Sequence, residues 1–250
     1  MNAVVDRLRA AGCVFAEDEA RLLVSAAHTQ DDLDAMVARR AGGMPLEYVL
    51  GWAEFCGLRI EVEPGVFVPR VRSEFLVEQA TGLTESGAVV LDLCCGSGAV
   101  GAAVAAAVDG IELYAADVDP VAVRCARRNI PGGHVYEGDL YQPLPDSLRL
   151  SVDVLAVNAP YVPGGELELM PREARLHEPR GTLDGGADGL DVVRRVIAGA
   201  RAWLRPGGHL LVETSEDQAP RAVEAMTRSG LAPRVARSEE LDATVVIGGA

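Results

Sequence analysis

Short apolar runs, each closed by a polar or acidic residue, alternate along the chain with longer stretches of helical periodicity. Val89-Val90-Leu91-Asp92-Leu93 and Val152-Asp153-Val154-Leu155-Ala156-Val157 read as buried strands. Residues 111–116 read as another, and His134-Val135-Tyr136-Glu137 as a shorter one. An Ala-rich helix is expected from Ala99 onward and a long amphipathic helix over residues 189–204, with strands at 209–213 and 244–247 closing a sheet. Residues 1–40 show no strand alternation and read as short helices. Asp31-Asp32 marks the start of one, and Arg39-Arg40-Ala41-Gly42-Gly43 supplies a basic end and a glycine stop. Strands alternating with helices imply an α/β fold around a mainly parallel sheet. The expected organisation is a helical domain over residues 1–52, a hairpin linker over 53–71 and the main domain over 72–250.

Composition narrows the partners more than the fold. The chain has 250 residues, 49% of them hydrophobic, enough for one substantial core and a small accessory domain. Its net charge is −14, from 37 acids against 23 bases, every base an arginine. That balance disfavours nucleic acid as a substrate, because neutralising phosphates takes a basic surface, and it suits a basic protein partner. Arg124, Arg127 and Arg128 sit at helical spacing and read as a solvated helix face. The cysteines (Cys13, Cys56, Cys94, Cys95, Cys125) are odd in number without metal-ligand spacing, so no metal is expected and reduced thiols in a cytoplasm are. No charged-then-apolar leader, repeat or membrane-spanning run is visible, and a monomer is expected. The histidines lie far apart, and His177, beside Glu178 and Pro179, reads as a loop brace.

The chemistry sits at the strand ends, where open α/β sheets bind ligands. Cys94-Cys95-Gly96-Ser97-Gly98 follows Asp92 as a tight turn into a helix, with glycines that let backbone approach a ligand and a helix start with free N–H groups. Asp117 ends the next strand and suits a ribose diol. Asp139 and Leu140 suit an adenine amino group and ring. Asn158-Ala159-Pro160-Tyr161 then presents an amide oxygen, a backbone carbonyl and an aromatic face, which together can hold a planar amide or amine. Gly96-x-Gly98-x-x-Gly101 also matches a dinucleotide fingerprint, with Asp117 about 20 residues on. Against that reading, Asp92 and the paired cysteines replace a Gly-x-Gly opening, and Asn-Ala-Pro-Tyr has no role in hydride transfer.

These motifs resemble the HemK/PrmC family of protein-(glutamine-N5) methyltransferases. Besides the strand ends, the resemblance covers Pro45 to Gly51, Phe55-Cys56-Gly57-Leu58, Val66-Phe67-Val68-Pro69-Arg70, His177-Glu178-Pro179, Asp184 to Leu190 and Pro206-Gly207-Gly208. It implies a Rossmann-like class I S-adenosylmethionine-dependent domain, preceded by a small all-helical domain that recognises a protein and by a β-hairpin linker. Carried over by position, Asp92, Cys94, Cys95, Gly96, Ser97, Gly98, Asp117, Asp139, Leu140 and Asn158 would hold the cofactor. Asn158, Ala159, Pro160 and Tyr161 would form the amide pocket, with Phe67 over its other side. The implied acceptor is the Gly-Gly-Gln glutamine of a class I peptide-chain release factor, a step in translation termination. An exocyclic amine of RNA or DNA, and a catalytically silent cofactor-binding module, are the alternatives. Four features depart from the family pattern and suggest a divergent subgroup. Ala159 and Cys94 stand at a usual proline and a usual glycine; Arg70-Val71-Arg72-Ser73-Glu74 replaces Arg-Pro-Glu-Thr-Glu; and Glu213-Thr214-Ser215-Glu216-Asp217-Gln218 departs from a Glu-Ile-Gly opening.

Overall fold

The computed structural model describes residues 1–250. The chain starts with helices α1 (Asn2–Ala10), α2 (Ala16–Ala26), α3 (Gln30–Ala41) and α4 (Leu46–Leu50). They bury Leu8, Ala20, Leu23 and Val37 in a core of their own. Thr29 caps α3 by accepting from the Asp32 N–H at 3.1 Å, so the helix begins just ahead of the acidic pair that marked it in the sequence. No helix of the chain is long and apolar enough to cross a membrane.

A hairpin follows, β1 (Trp52–Phe55) and β2 (Leu58–Glu61). Read from sequence as a linker, it delivers Ala53, Phe55 and Ile60 into the larger core beneath the main sheet. The Asn129 side chain completes its free edge, donating to the Glu61 carbonyl at 2.9 Å and accepting from the Glu61 N–H at 2.8 Å. Arg128 pairs with Glu61 and Glu63, and Arg127 donates to the Val135 carbonyl. All three arginines of that cluster, Arg124, Arg127 and Arg128, stay exposed on the helix face, and only the last two reach partners beyond it.

The main domain runs α5 (Glu74–Thr81), β3 (Val89–Leu93), α6 (Ala99–Ala107), β4 (Glu112–Asp117), α7 (Pro120–Asn129), β5 (His134–Glu137), β6 (Val152–Val157), α8 (Arg172–His177), α9 (Asp191–Ala200), β7 (Leu204–Thr214), α10 (Ala219–Arg228), β8 (Ala232–Ser238) and β9 (Ala243–Gly249). Its seven-stranded sheet has the order β5-β4-β3-β6-β7-β9-β8, with β9 antiparallel to both neighbours and the other pairs parallel. Chain progression reverses between β3 and β6, which opens a crevice at their carboxyl ends.

Two elements differ from the sequence reading. The helix expected over 189–204 stops at Ala200, and β7 already pairs Leu204 with Val152. The Pro206-Gly207-Gly208 segment is absorbed by a register shift in that pairing rather than breaking the strand. β8 was not foreseen: an edge strand carrying Pro233, Arg234 and Arg237 shows no clean apolar alternation.

One buried ion cluster ties the helical region to the segment beyond β6. Arg40, with its side chain 8% exposed, grips Glu19 through Nε and Nη2 and reaches Glu173 on α8 through Nη1 at 2.6 Å. Arg40→Ala leaves the Glu19 carboxylate buried and unpaired, and is expected to destabilise the protein by about 3–5 kcal/mol. Glu173→Ala, at a half-exposed carboxylate, is expected to cost about 1 kcal/mol or less. Urea midpoints of the two variants check that order.

Candidate active site

The carboxyl ends of β3, β4 and β6 open on one cavity of about 670 Å³, within the ~300–1,000 Å³ usual for small-molecule sites. On its floor Asp92 is 2% exposed and accepts from the Gly101 N–H at 2.9 Å. A β-carbon on Gly101 would lie 3.1 Å from the Asp92 carboxylate, so this glycine lets α6 rest on the acid. Burial pushes the Asp92 carboxyl up to about 7, against the bond from Gly101.

The turn after β3 is held from β4. Asp117 accepts from the Gly96 N–H through one oxygen and from the Asp119 N–H through the other, both at 2.9 Å. Each oxygen keeps a lone pair for a ligand hydroxyl. Gly96, at φ +54°, has nothing within 4 Å of where a β-carbon would stand, so it offers bare backbone to the cavity. Gly98 is the one predicted residue absent from the cavity wall. A β-carbon there would meet Ile130 at 2.7 Å, so this glycine serves packing at the start of α6. Cys94 tolerates φ +58°, in the left-handed region where a side chain costs about 1–2 kcal/mol. Burial and the neighbouring acids push the Cys94 thiol up, and the same causes raise Cys95, so neither is a thiolate near neutral pH. Across the cavity Asp139 pairs with Arg195 of α9 at 2.5 Å, beside Leu140.

Asn158 stands at the tip of β6. Its Nδ2 donates to the Ser73 hydroxyl at 3.0 Å, while Oδ1 takes no donor from the chain. The Ala159 carbonyl likewise accepts no backbone bond. Neither oxygen is engaged by the chain, and both residues line the cavity together with Pro160, Tyr161 and Phe67. Arg70 lies 4.9 Å over the Phe67 ring and pairs with the buried Glu178 at 2.5 Å. Glu178, rather than His177, is the brace of this loop; the His177 side chain makes no hydrogen bond.

The Asn-Ala-Pro-Tyr backbone is clamped from behind. Val162 donates to the Leu183 carbonyl at 3.0 Å and accepts from the Gly185 N–H at 2.9 Å. Gln218 Nε2 donates to the Tyr161 carbonyl at 2.7 Å and to the Asp188 carbonyl at 3.1 Å. A β-carbon on Gly185 would lie 2.7 Å from the Pro160 carbonyl, and one on Gly189 would lie 2.2 Å from that of Tyr161. This close backbone contact explains the Asp184 to Leu190 motif. Sequence reasoning did not assign roles to Ser73, Arg72, Gln218, Arg195 or Glu213. Ser73, Arg72 and Gln218 fall in the segments that depart from the family pattern, the one signal that marked them, whereas Glu213 matches the glutamate that opens its segment.

The family model Methyltransferase small domain matches residues 57–187. Proteins named release factor glutamine methyltransferase from Geobacter sulfurreducens and Gloeobacter violaceus are 38% and 40% identical, over 86% and 80% of this chain and 76% and 72% of their own. Among solved structures, a methyltransferase from Pyrococcus furiosus superposes with TM-score 0.59 at 19% identity, over 77% of this chain and 89% of its own. A 16S rRNA N2 G1207 methyltransferase from T. thermophilus, solved with AdoMet and guanosine, gives 0.58 at 21% identity, over 79% and 49%. At those identities the structural likeness is one of fold. Sheet order, glycine turn and strand-end acids define a class I S-adenosylmethionine-dependent methyltransferase. Within that class, the chain belongs to the HemK/PrmC family of release factor glutamine methyltransferases.

Asp92 is expected to make cofactor binding sensitive to pH. A sulfonium cation in the cavity favours the ionised carboxylate and lowers its pKa. With its carboxyl raised to about 7, Asp92 is expected to release a proton when the cofactor binds below that value. Calorimetric Kd for S-adenosylmethionine is expected to rise by up to about tenfold per pH unit as pH falls below that value. The uncharged S-adenosylhomocysteine should show a shallower dependence, and equal slopes would contradict the assignment.

Proposed function

We propose that the protein methylates the side-chain amide of a glutamine in a peptide-chain release factor, the Gly-Gly-Gln glutamine of a class I factor, using S-adenosylmethionine. The observation that carries this reading is the pair of free acceptors, Asn158 Oδ1 and the Ala159 carbonyl, in one cavity with the glycine turn and Asp117. Cavity size, bare backbone at Gly96 and strand-end carboxylates fit the cofactor. Gly96, Asp117, Asp139 and Leu140 would hold it, Asp92 would favour its positive charge, and when bound it supplies an electrophilic methyl on a sulfonium leaving group.

The rest falls to the chain. A primary amide has two N–H donors, and two acceptors at fixed angles hold its plane and aim the nitrogen's out-of-plane electron density. Asn158 and Ala159 supply them, with Tyr161 and Phe67 closing the amide faces. Both acceptors draw electron density from the N–H bonds toward nitrogen, partly offsetting its delocalisation into the carbonyl. As the N–C bond forms and the C–S bond breaks, the nitrogen becomes strongly acidic, and its surplus proton leaves to solvent without a dedicated base. An alanine at position 159 retains the carbonyl and forgoes the fixed φ of proline. The clamp by Gln218 and Gly185 supplies rigidity from behind instead. Charge and relatives alike disfavour a nucleic-acid amine as acceptor. The free state of all the cysteines suits a reducing cytoplasm.

Purified protein, a release factor from the same organism and labelled S-adenosylmethionine should yield one methyl on the motif glutamine by peptide mass spectrometry, and none when that glutamine is alanine. Asn158→Ala is expected to lower transfer by roughly 100-fold or more while cofactor Kd stays within a few-fold. A parallel collapse of cofactor binding would sink this division of labour.

A further inference from the structure

The turn after β5 lines the cavity with Asp139 and Leu140, and it is held in an unfavourable shape. Leu140 takes φ +50°, in the left-handed region that a side chain adopts only when its surroundings over-determine it. Both of its neighbours are anchored to the same helix. Before it, Asp139 Oδ2 accepts from Arg195 Nη2 of α9 at 2.5 Å. After it, the Tyr141 hydroxyl donates to the Val196 carbonyl of α9 at 2.8 Å. The Tyr141 ring stacks on Trp203 with centroids 5.5 Å apart, and a β-carbon on Gly199 would stand 2.6 Å from that ring. Val193, Val196 and Ile197 in turn bury one face of α9 in the core beside the sheet.

The Arg195 pair adds little to the stability of the fold. Its side chains are 55% and 37% exposed, and water screens an ion pair in such a setting. What it fixes is direction. The two side-chain donors that reach Asp139, Arg195 and the more distant Gln142 at 3.5 Å, take the same oxygen, Oδ2. Oδ1 receives no bond from the chain, and Asp139, Leu140 and Arg195 line the cavity together.

We propose that Arg195 is a positioning residue that sets the purine selectivity of the cofactor site, by holding Asp139 so that Oδ1 accepts from the 6-amino group of adenine. The inference rests on the base of the cofactor lying against Asp139. Asp117, which keeps lone pairs for the ribose hydroxyls, pairs across the sheet with Glu137, two residues before Asp139. A nucleoside held at Asp117 by its sugar therefore reaches the neighbouring strand end with its base. There a carboxylate meets an amino group as acceptor to donor, whereas a 6-oxo purine would set its carbonyl oxygen against it. Without Arg195 the carboxylate can turn and accept from the N1–H that a 6-oxo base carries, and the preference is lost.

Calorimetry with S-adenosylhomocysteine and its 6-oxo counterpart, S-inosylhomocysteine, tests this without any acceptor protein, and so apart from the release-factor reading. The wild type should bind the adenosyl form about tenfold or more tightly, the worth of one bond to a charged group. Arg195→Ala should erase most of that preference while its melting temperature stays near that of the wild type, as expected for an exposed pair. Arg195→Lys, which keeps a donor but not the planar fork, should recover part of it. Mere loosening of the turn in Arg195→Ala would raise both Kd values and leave their ratio unchanged, which would overturn the proposal. Asp139→Asn separates the premise from the inference. A preference lost in Asp139→Asn but intact in Arg195→Ala defeats the role of Arg195. A wild-type ratio in Asp139→Asn, or equal binding of the two ligands by the wild type, removes the base from Asp139 and the proposal with it.

Discussion

A strand must end at this site with acceptors left unpaired, and the surrounding structure serves to keep that unpaired backbone still. Asn158 Oδ1 and the Ala159 carbonyl take no bond from the chain, and both residues line the cavity instead of closing a ladder. Free acceptors leave a loop without the hydrogen bonds that would otherwise order it. Order comes from the far side: the Leu183–Gly185 backbone runs along Val162, and Gln218 bonds the Tyr161 carbonyl. Gly185 and Gly189 make that approach possible by lacking β-carbons. A rigid acceptor pair on a rigid sheet edge is what orients a weak nucleophile.

Carboxylates at the site divide the work by depth. Asp117 spends one bond from each oxygen on the turn backbone and keeps lone pairs for a ligand. Asp92, deeper, accepts a single bond from Gly101 and is raised by burial, which makes it responsive to a cation in the cavity. Glu213, behind the wall, accepts from the Tyr161 hydroxyl, is raised by burial and lies in the field of Arg72. The same residue type thus sits in three different electrostatic settings at one site, set by its solvation and neighbours.

Arginine does the long-range joining in this lysine-free chain. Arg40 links α3 to Glu19 and Glu173, Arg70 links the Phe67 loop to Glu178, and Arg72 spans Tyr161 and Asp242. Its planar fork bonds several acceptors at once, which a lysine ammonium cannot match in geometry.

By itself the sequence determined the parallel core and the chemistry at its edge. Five-residue and six-residue apolar runs such as β3 and β6 have one favourable fate in a protein of this size, burial on both faces. Whatever follows them emerges at a strand end, so Asp92, Asp117, Asn158 and Tyr161 were legible as neighbours from their offsets. The tertiary structure alone decided the rest. Ser73 meets Asn158 across 85 positions, and Arg40 meets Glu173 across 133. No local pattern encodes such separations, because they arise from how the sheet edge, the loop before α5 and the helical region pack. The polarity of the Asn158 amide belongs to the same category: residue type supplies both a donor and an acceptor, and only the groups packed around it decide which of the two the chain engages.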